Sequence, residues 1–247
     1  MYNGRWKPPP ATLALADDEV HVWRISLNQP QSVIADLRTY LEAAELERAA
    51  RYFFDKDRYQ YIIGRGVLRL LLGRYLGQPA AGIRFQYTGY NKPFLDPSFA
   101  PFNLHFNLSH SGKVALLAFA RHHEVGVDVE LIRTDMEHSD ISENFFSPYE
   151  VSVLRSVSST EQPLVFFNCW TRKEAYIKAQ GQGLSLALDS FDVTMRPDEP
   201  TKLLAIRDQP DDAAAWTLMA LHPGVGYVGA LAIRAHGLRY QLWEWMA

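Results

Sequence analysis

GKVALLAFARHHEVGVDVE, residues 112–130, lies over GYVGALAIRAHGLRYQLWE, residues 226–244, without a gap. Glycine, valine, leucine, alanine, histidine and glutamate coincide at 112/226, 114/228, 117/231, 118/232, 122/236 and 130/244. In the first copy, two apolar runs, 114–120 and 125–131, flank a short polar turn at 121–124, which predicts a β-hairpin. A helical stretch precedes each copy. One runs from about 57 to 76 and stops at Gly77-Gln78-Pro79; the other runs from about 163 to 179 and closes at Gly181 and Gly183. The chain therefore reads as two similar α+β halves, 1–124 and 125–247, with a cleft at their junction, where ligand sites are common. Leu242 stands where Asp128 stands and only Glu244 repeats an acid, so the second copy reads as scaffold.

Composition narrows the class. The chain has 247 residues, 47% hydrophobic and 21% charged, enough for one large domain or two small ones. A net charge of −3 gives no global pull toward nucleic acid. The single cysteine, Cys169, excludes an intramolecular disulfide and a cysteine-based zinc site. The apolar runs are too short to span a bilayer, and MYNGRWKPPP is no signal peptide. The expectation is a cytoplasmic protein with no membrane partner. Charge is uneven, however. From Arg48 to Arg74 there are seven Lys/Arg against Asp55 and Asp57, which reads as a solvated helix face or as an anion site.

Three stretches could carry chemistry. In Gly126-Val127-Asp128-Val129-Glu130, the strand period puts Asp128 and Glu130 on one face. This is the wet side of an amphipathic strand, or half a site for Mg²⁺, which takes one or two protein carboxylates and leaves the rest to water and phosphate. Asn107-Leu108-Ser109-His110-Ser111-Gly112 leaves a strand and turns. It offers hydroxyls, an imidazole and free N–H groups to an anion, or it is a hydrogen-bonded β-turn. In Trp170-Thr171-Arg172-Lys173-Glu174-Ala175-Tyr176-Ile177-Lys178, residues 170, 174 and 178 share one helix face. Glu174 and Lys178 form a surface ion pair there, or they line a cleft, as Trp170 on the same stripe suggests. Ser147-Pro148-Tyr149-Glu150 marks a helix start. The Phe145-Phe146 pair before it reads as a docking surface or as a hydrophobic staple.

Together, FNLSHSG (106–112), GVDVE (126–130) and WTRKEAYIKAQGQGLS (170–185) resemble the 4′-phosphopantetheinyl transferases of the surfactin-synthetase-activating type. YNKPFL (90–95) is similar to the turn that precedes the Ser-His block in that family, and residues 51–69 are loosely similar to its basic helix. The resemblance implies a pseudo-duplicated α+β fold with the active site between its halves. It implies transfer of phosphopantetheine from coenzyme A to a serine of an acyl or peptidyl carrier domain, by a monomer that uses Mg²⁺ or Mn²⁺. By motif match, Asp128, Glu130 and Glu174 become metal carboxylates. Lys178 becomes a catalytic residue at the pyrophosphate, and Glu174 is also a candidate general base. Lys92, Ser109 and His110 become coenzyme contacts, and Arg48 and Arg51 partners of its 3′-phosphate. Where the family often has Gly-Lys-Pro, this chain has Asn91-Lys92-Pro93, and asparagine tolerates the left-handed backbone such a turn needs. A coenzyme-binding module without turnover and a metal phosphohydrolase are the other readings of the same acids.

Overall fold

A computed structural model describes residues 4–134, 138–181 and 186–247. The chain runs β1 (Glu19–Ser26), α1 (Gln31–Arg38), α2 (Ala43–Ala50), α3 (Asp55–Leu76), β2 (Phe85–Tyr87), β3 (Pro93–Leu95), β4 (Leu104–Ser111), β5 (Val114–Arg121) and β6 (Val125–Leu131). It continues with α4 (His138–Phe145), α5 (Pro148–Arg155), α6 (Gln162–Gln180), β7 (Phe191–Val193), β8 (Leu203–Ile206), β9 (Thr217–Leu221), β10 (Tyr227–Ile233) and β11 (Arg239–Glu244). The long helices stop where glycine allows it. Gly77 (φ 63) caps α3 and Gly181 (φ 72) caps α6, both left-handed. Gly183 and Ser185 lie outside the described residues. Among the described residues no helix is long and apolar enough to cross a membrane.

Two sheets carry the architecture, in the orders β11-β1-β5-β4 and β6-β10-β9. In each, a central strand is antiparallel to both neighbours: β5 between β1 and β4, and β10 between β6 and β9. The sheets pack face to face over Val20, Val22, Leu116, Ala118, Val125, Val127, Val129 and Leu231. Helix α3 covers the outer face of the first sheet through Ile63, Val67, Leu68 and Leu71. Helix α6 covers the outer face of the second, with Ala175, Tyr176 and Ala179 against Val228, Ala230 and Ala232. The result is a layered α–β–β–α sandwich, the duplicated α+β architecture expected.

The hairpin predicted over 114–131 does not form. Strands β5 and β6 follow one another but join different sheets. The cause is burial. Leu116, Ala118 and Ala120 of one and Val125, Val127 and Val129 of the other are all within 1% of complete burial. Placed on facing sheets, these rows bury each other. Residues 122–124 carry the chain across, with His122 left-handed at φ 64. The repeat register holds for the central strands, since Gly112 (φ 56) and Gly226 (φ 78) make equivalent left-handed turns before β5 and β10. It does not hold for the strands that follow. By sheet position β6 is the counterpart of β1, and β11 is an addition lying parallel to β1.

Candidate active site

The two halves meet where β4 runs beside β6, and side chains rather than a backbone ladder join them. Asn107 Oδ1 accepts the Val127 N–H at 2.9 Å. Ser109 Oγ donates to Asp128 Oδ1 at 2.7 Å, and Ser111 Oγ donates to Glu130 Oε2 at 2.6 Å while accepting the Leu131 N–H at 3.1 Å. The strand period sets all three polar residues on one side of β4. The expected turn at Ser109-His110 is therefore corrected. Pairing with β5 continues to Ser111, and only Gly112-Lys113 turn.

Helix α6 lies directly on this seam. At Gly126 a Cβ would stand 2.0 Å from the Ala175 carbonyl oxygen and 2.5 Å from the Ala179 nitrogen, so only glycine allows the approach. Trp170, Glu174 and Lys178 are half-buried along one helix face. Lys178 does not serve a surface pair with Glu174. Its Nζ donates to Asp128 Oδ1 at 2.6 Å and to Ser109 Oγ at 3.1 Å. Trp170 stacks on Phe166 at 6.0 Å. The other cations of the stretch turn inward. Arg172 Nη1 donates to the Thr194 carbonyl at 2.5 Å. Lys173 and Glu150, both 0% exposed, pair at 2.8 Å, and Lys173 also donates to the carbonyls of Leu188 (2.7 Å) and Phe191 (2.6 Å). Of the three cations around Glu174, only Lys178 faces the seam.

The seam is rich in negative charge. Burial raises the Glu174 carboxyl above its ordinary range; Lys178 opposes this, and Asp128 and Glu130 add to it. Burial also raises Glu130, with Ser111 opposing and Asp128 adding. Among the described residues no three His, Cys, Asp or Glu side chains already converge as metal ligands. Even so, Asp128 Oδ2 is buried with no hydrogen-bond partner, and a buried lone carboxylate oxygen is costly unless something fills its place. Hard carboxylate oxygens in mutual repulsion suit a hard divalent cation. The residues present fit Mg²⁺ or Mn²⁺.

His110 points to the other side of β4. It opens into a cavity of about 240 Å³ whose walls include Arg48, Tyr52, Tyr61, Arg65 and Tyr87. Desolvation, then the charge of Lys178, lower its pKa, with Asp57 and Asp128 opposing. Arg48 and Arg51 share an adjoining cavity of about 450 Å³ with Tyr52 and Asn91. Asn91 takes the left-handed conformation the turn needs, at φ 60. Lys92 is placed differently: its Nζ donates to Glu124 Oε2 at 2.9 Å and to the Lys178 carbonyl at 2.8 Å. Sequence reading overlooked Arg65 and Tyr87, which bond to each other at 2.6 Å. The i, i+4 spacing of Tyr61 and Arg65 on α3 was the available signal. Because 107–112 reads as a turn, the alternation 107/109/111 that puts Asn107 and Ser111 on the Ser109 face went unused. Phe146 is 4% exposed and packs in the core, whereas Phe145 is 49% exposed.

Similarity to known proteins agrees with this geometry. Residues 23–122 match the family described as 4′-phosphopantetheinyl transferase, N-terminal, and residues 124–232 match the 4′-phosphopantetheinyl transferase superfamily. The 4′-phosphopantetheinyl transferase HetI of Nostoc sp. is 38% identical over 245 residues, covering 99% of this chain and 100% of that protein. The 4′-phosphopantetheinyl transferase Sfp of Bacillus subtilis is 31% identical over 179 residues, 72% of this chain and 77% of that one. The holo-[acyl-carrier-protein] synthase of Thermotoga maritima superposes with a TM-score of 0.35 at 16% identity, over 45% of this chain and 62% of that one. Both of these sequence relatives are named as 4′-phosphopantetheinyl transferases. The chain belongs to the 4′-phosphopantetheinyl transferase family and is an enzyme of that class.

Proposed function

We propose that this enzyme moves the 4′-phosphopantetheine arm of coenzyme A onto a serine of an acyl or peptidyl carrier domain, releasing adenosine 3′,5′-bisphosphate, as a cytoplasmic monomer built from units 1–124 and 125–247. The observation that carries this reading is the seam itself. Three acids, Asp128, Glu130 and Glu174, share it with one cation, Lys178, beside an arginine- and histidine-lined cavity.

Asp128, Glu130 and Glu174 would hold Mg²⁺ or Mn²⁺, which when bound offsets the charge of the pyrophosphate. The carrier serine oxygen forms a bond to the β-phosphorus, and the bond from that phosphorus to the bridging oxygen breaks. Glu174, on the cleft face of α6, is the group that takes the serine proton, directly or through a water. Lys178 steadies the phosphate charge from the same helix face, so catalysis rests on positioning and electrostatics. Ser109 holds Asp128 in place. His110, Arg48 and Arg51 face the nucleotide end and receive its 3′-phosphate. The exposed Phe145 beside α5 is a candidate contact for the carrier.

The test combines enzyme, coenzyme A, Mg²⁺ and apo carrier domains from fatty acid, polyketide and peptide synthases, then weighs each carrier. A phosphopantetheine mass gain is expected on at least one. No gain on any, with a competent control enzyme working, sinks the proposal. Glu174→Gln is expected to lower kcat at least about 100-fold with the fold intact; a near-normal rate would remove Glu174 from the chemistry.

A further inference from the structure

The interior of the first half holds a charged assembly that the seam does not use. Glu45 of α2 accepts from Arg65 Nε through one carboxylate oxygen and from Arg69 Nε, at 2.7 Å, through the other. Arg69 also donates to the Ile83 carbonyl at 2.7 Å and pairs with Glu42 at 3.0 Å. Both guanidiniums lie over the Phe85 ring, Arg65 at 4.1 Å and Arg69 at 5.0 Å from its centroid. Glu45, Arg65 and Arg69 are all buried. A buried ion cluster of this kind stabilises a fold little more than apolar residues of the same volume would, so packing alone is a weak reason for it.

The assembly ends at a cavity. Arg65 Nη2 donates to Tyr87 Oη at 2.6 Å. Tyr87, on β2, is 47% exposed and stands on the wall that also carries Arg48, Tyr61 and His110. The direction of this bond matters. A guanidinium only donates, so the phenol oxygen accepts, and its own hydrogen cannot point back at Arg65. A hydroxyl polarised by a cation in this way is also a stronger donor. The Tyr87 O–H is thus turned to the cavity by an arginine that Glu45 and Phe85 pin in place. Arg48 lies over the Tyr61 ring at 5.5 Å and brings a second cation to the same wall. Three arginines, Arg48, Arg65 and Arg69, stand against two acids, Glu42 and Glu45, so this cluster favours an anion.

We propose that Tyr87 is a specificity-determining residue of the coenzyme site: its O–H donates to the 3′-phosphate of coenzyme A in the His110 cavity, and Arg65 is the positioning residue that aims it. This rests on the transferase reading above for the identity of the ligand. Neither residue lies in the blocks that carry the family resemblance at the seam, and neither touches the reacting phosphorus. Tyr87 therefore acts on coenzyme recognition and leaves the chemical step alone.

Calorimetry with coenzyme A and dephospho-coenzyme A tests it. Tyr87→Phe removes only a hydroxyl from a half-exposed ring, so the fold is kept. It is expected to raise the Kd for coenzyme A about 10-fold, as loss of a hydrogen bond to a charged group does, with the Kd for dephospho-coenzyme A within about twofold and kcat at saturating coenzyme near wild type. Arg65→Lys is expected to weaken coenzyme A about fivefold in the Tyr87 protein and less than about twofold in the Tyr87→Phe protein, because residues that act through one another do not add. A ring-fluorinated tyrosine at position 87, a more acidic phenol and a better donor, checks the direction set by Arg65 without disturbing the buried cluster, and is expected to bind coenzyme A at least as tightly as wild type. Unchanged selectivity in Tyr87→Phe, or equal losses for the two ligands, would overturn the assignment. Additive costs for Arg65→Lys, or weaker binding by the fluorinated protein, would overturn the role of Arg65. Wild-type protein that binds neither ligand overturns the coenzyme reading and this assignment together, whereas wild-type selectivity that survives Tyr87→Phe overturns this assignment alone.

Discussion

Residue identity alone says little about residue role in WTRKEAYIK. Arg172, Lys173 and Lys178 are chemically alike, yet two are buried against carbonyls and Glu150, and one meets Asp128 at the seam. Helical spacing separates Lys178 from the other two, since only 178 shares the face of 174. It does not reveal that the face of Lys173 is sealed. The buried pair permits a firm prediction. Lys173→Met leaves Glu150 buried and unpaired, which is expected to cost about 3–5 kcal/mol, read as a shift in the urea midpoint. His110→Ala is expected to weaken coenzyme A about 10-fold while leaving dephospho-coenzyme A nearly unchanged, since a lost contact to a charged group costs about 1.5–3 kcal/mol. Equal losses for the two ligands, measured by calorimetry, would deny the 3′-phosphate contact.

Elements are where the sequence reads best and errs most instructively. Strands β1, β4, β5, β6, β10 and β11 and helices α3, α5 and α6 all fall on stretches whose periodicity or caps announce them. Partnership is another matter. Two apolar strands with a short turn predict a hairpin, and here they split between sheets because each has more to bury against the other sheet than beside its neighbour. Gly126 belongs to this scale too. In GVDVE it looks like a weak point in a strand, but it is the place where α6 touches β6. Gly126→Ala is expected to lower stability by about 1–3 kcal/mol through overpacking and to reduce kcat by displacing Glu174 and Lys178. A thermal melt and a transfer assay read the two effects separately.

Across the whole molecule, long-range ties hold the halves in register. Strand β11 leaves the second half to pair with β1, and Lys7 near the N-terminus adds a backbone bridge to Trp243. Removing residues 239–247 would expose the β1 edge and the apolar surface around Trp23 on which Trp243 and Trp245 pack. The expected outcome is loss of cooperative melting and aggregation on size-exclusion chromatography. Acid acts on the cleft. Burial alone would raise the Glu124 carboxyl, but His105 and Lys92 outweigh burial and hold it at about 2. Its folded pKa lies below its unfolded one, so its contribution is whole above about pH 5 and fades as pH falls from there toward about 2. Glu124→Gln is expected to lower stability at neutral pH and to flatten this acid limb, measured as urea midpoints from pH 5 to pH 3.

Three sequence blocks read together pointed to the family and the duplicated α+β plan, and the family's motif match singled out the acids. Local spacing contributed the shared faces: period 2 for Asp128 and Glu130, and i, i+4 for Glu174 and Lys178. Tertiary structure decided what spacing cannot carry. It set which strand pairs with which, because that depends on the burial of both faces at once. It buried Lys173 and kept Lys178 on the cleft, because the surroundings of a helix face come from elements distant in the chain. It also set Lys92 at the end of α6, where the Lys178 carbonyl and the Glu124 carboxylate accept from its ammonium, and neither neighbour is near Lys92 in sequence.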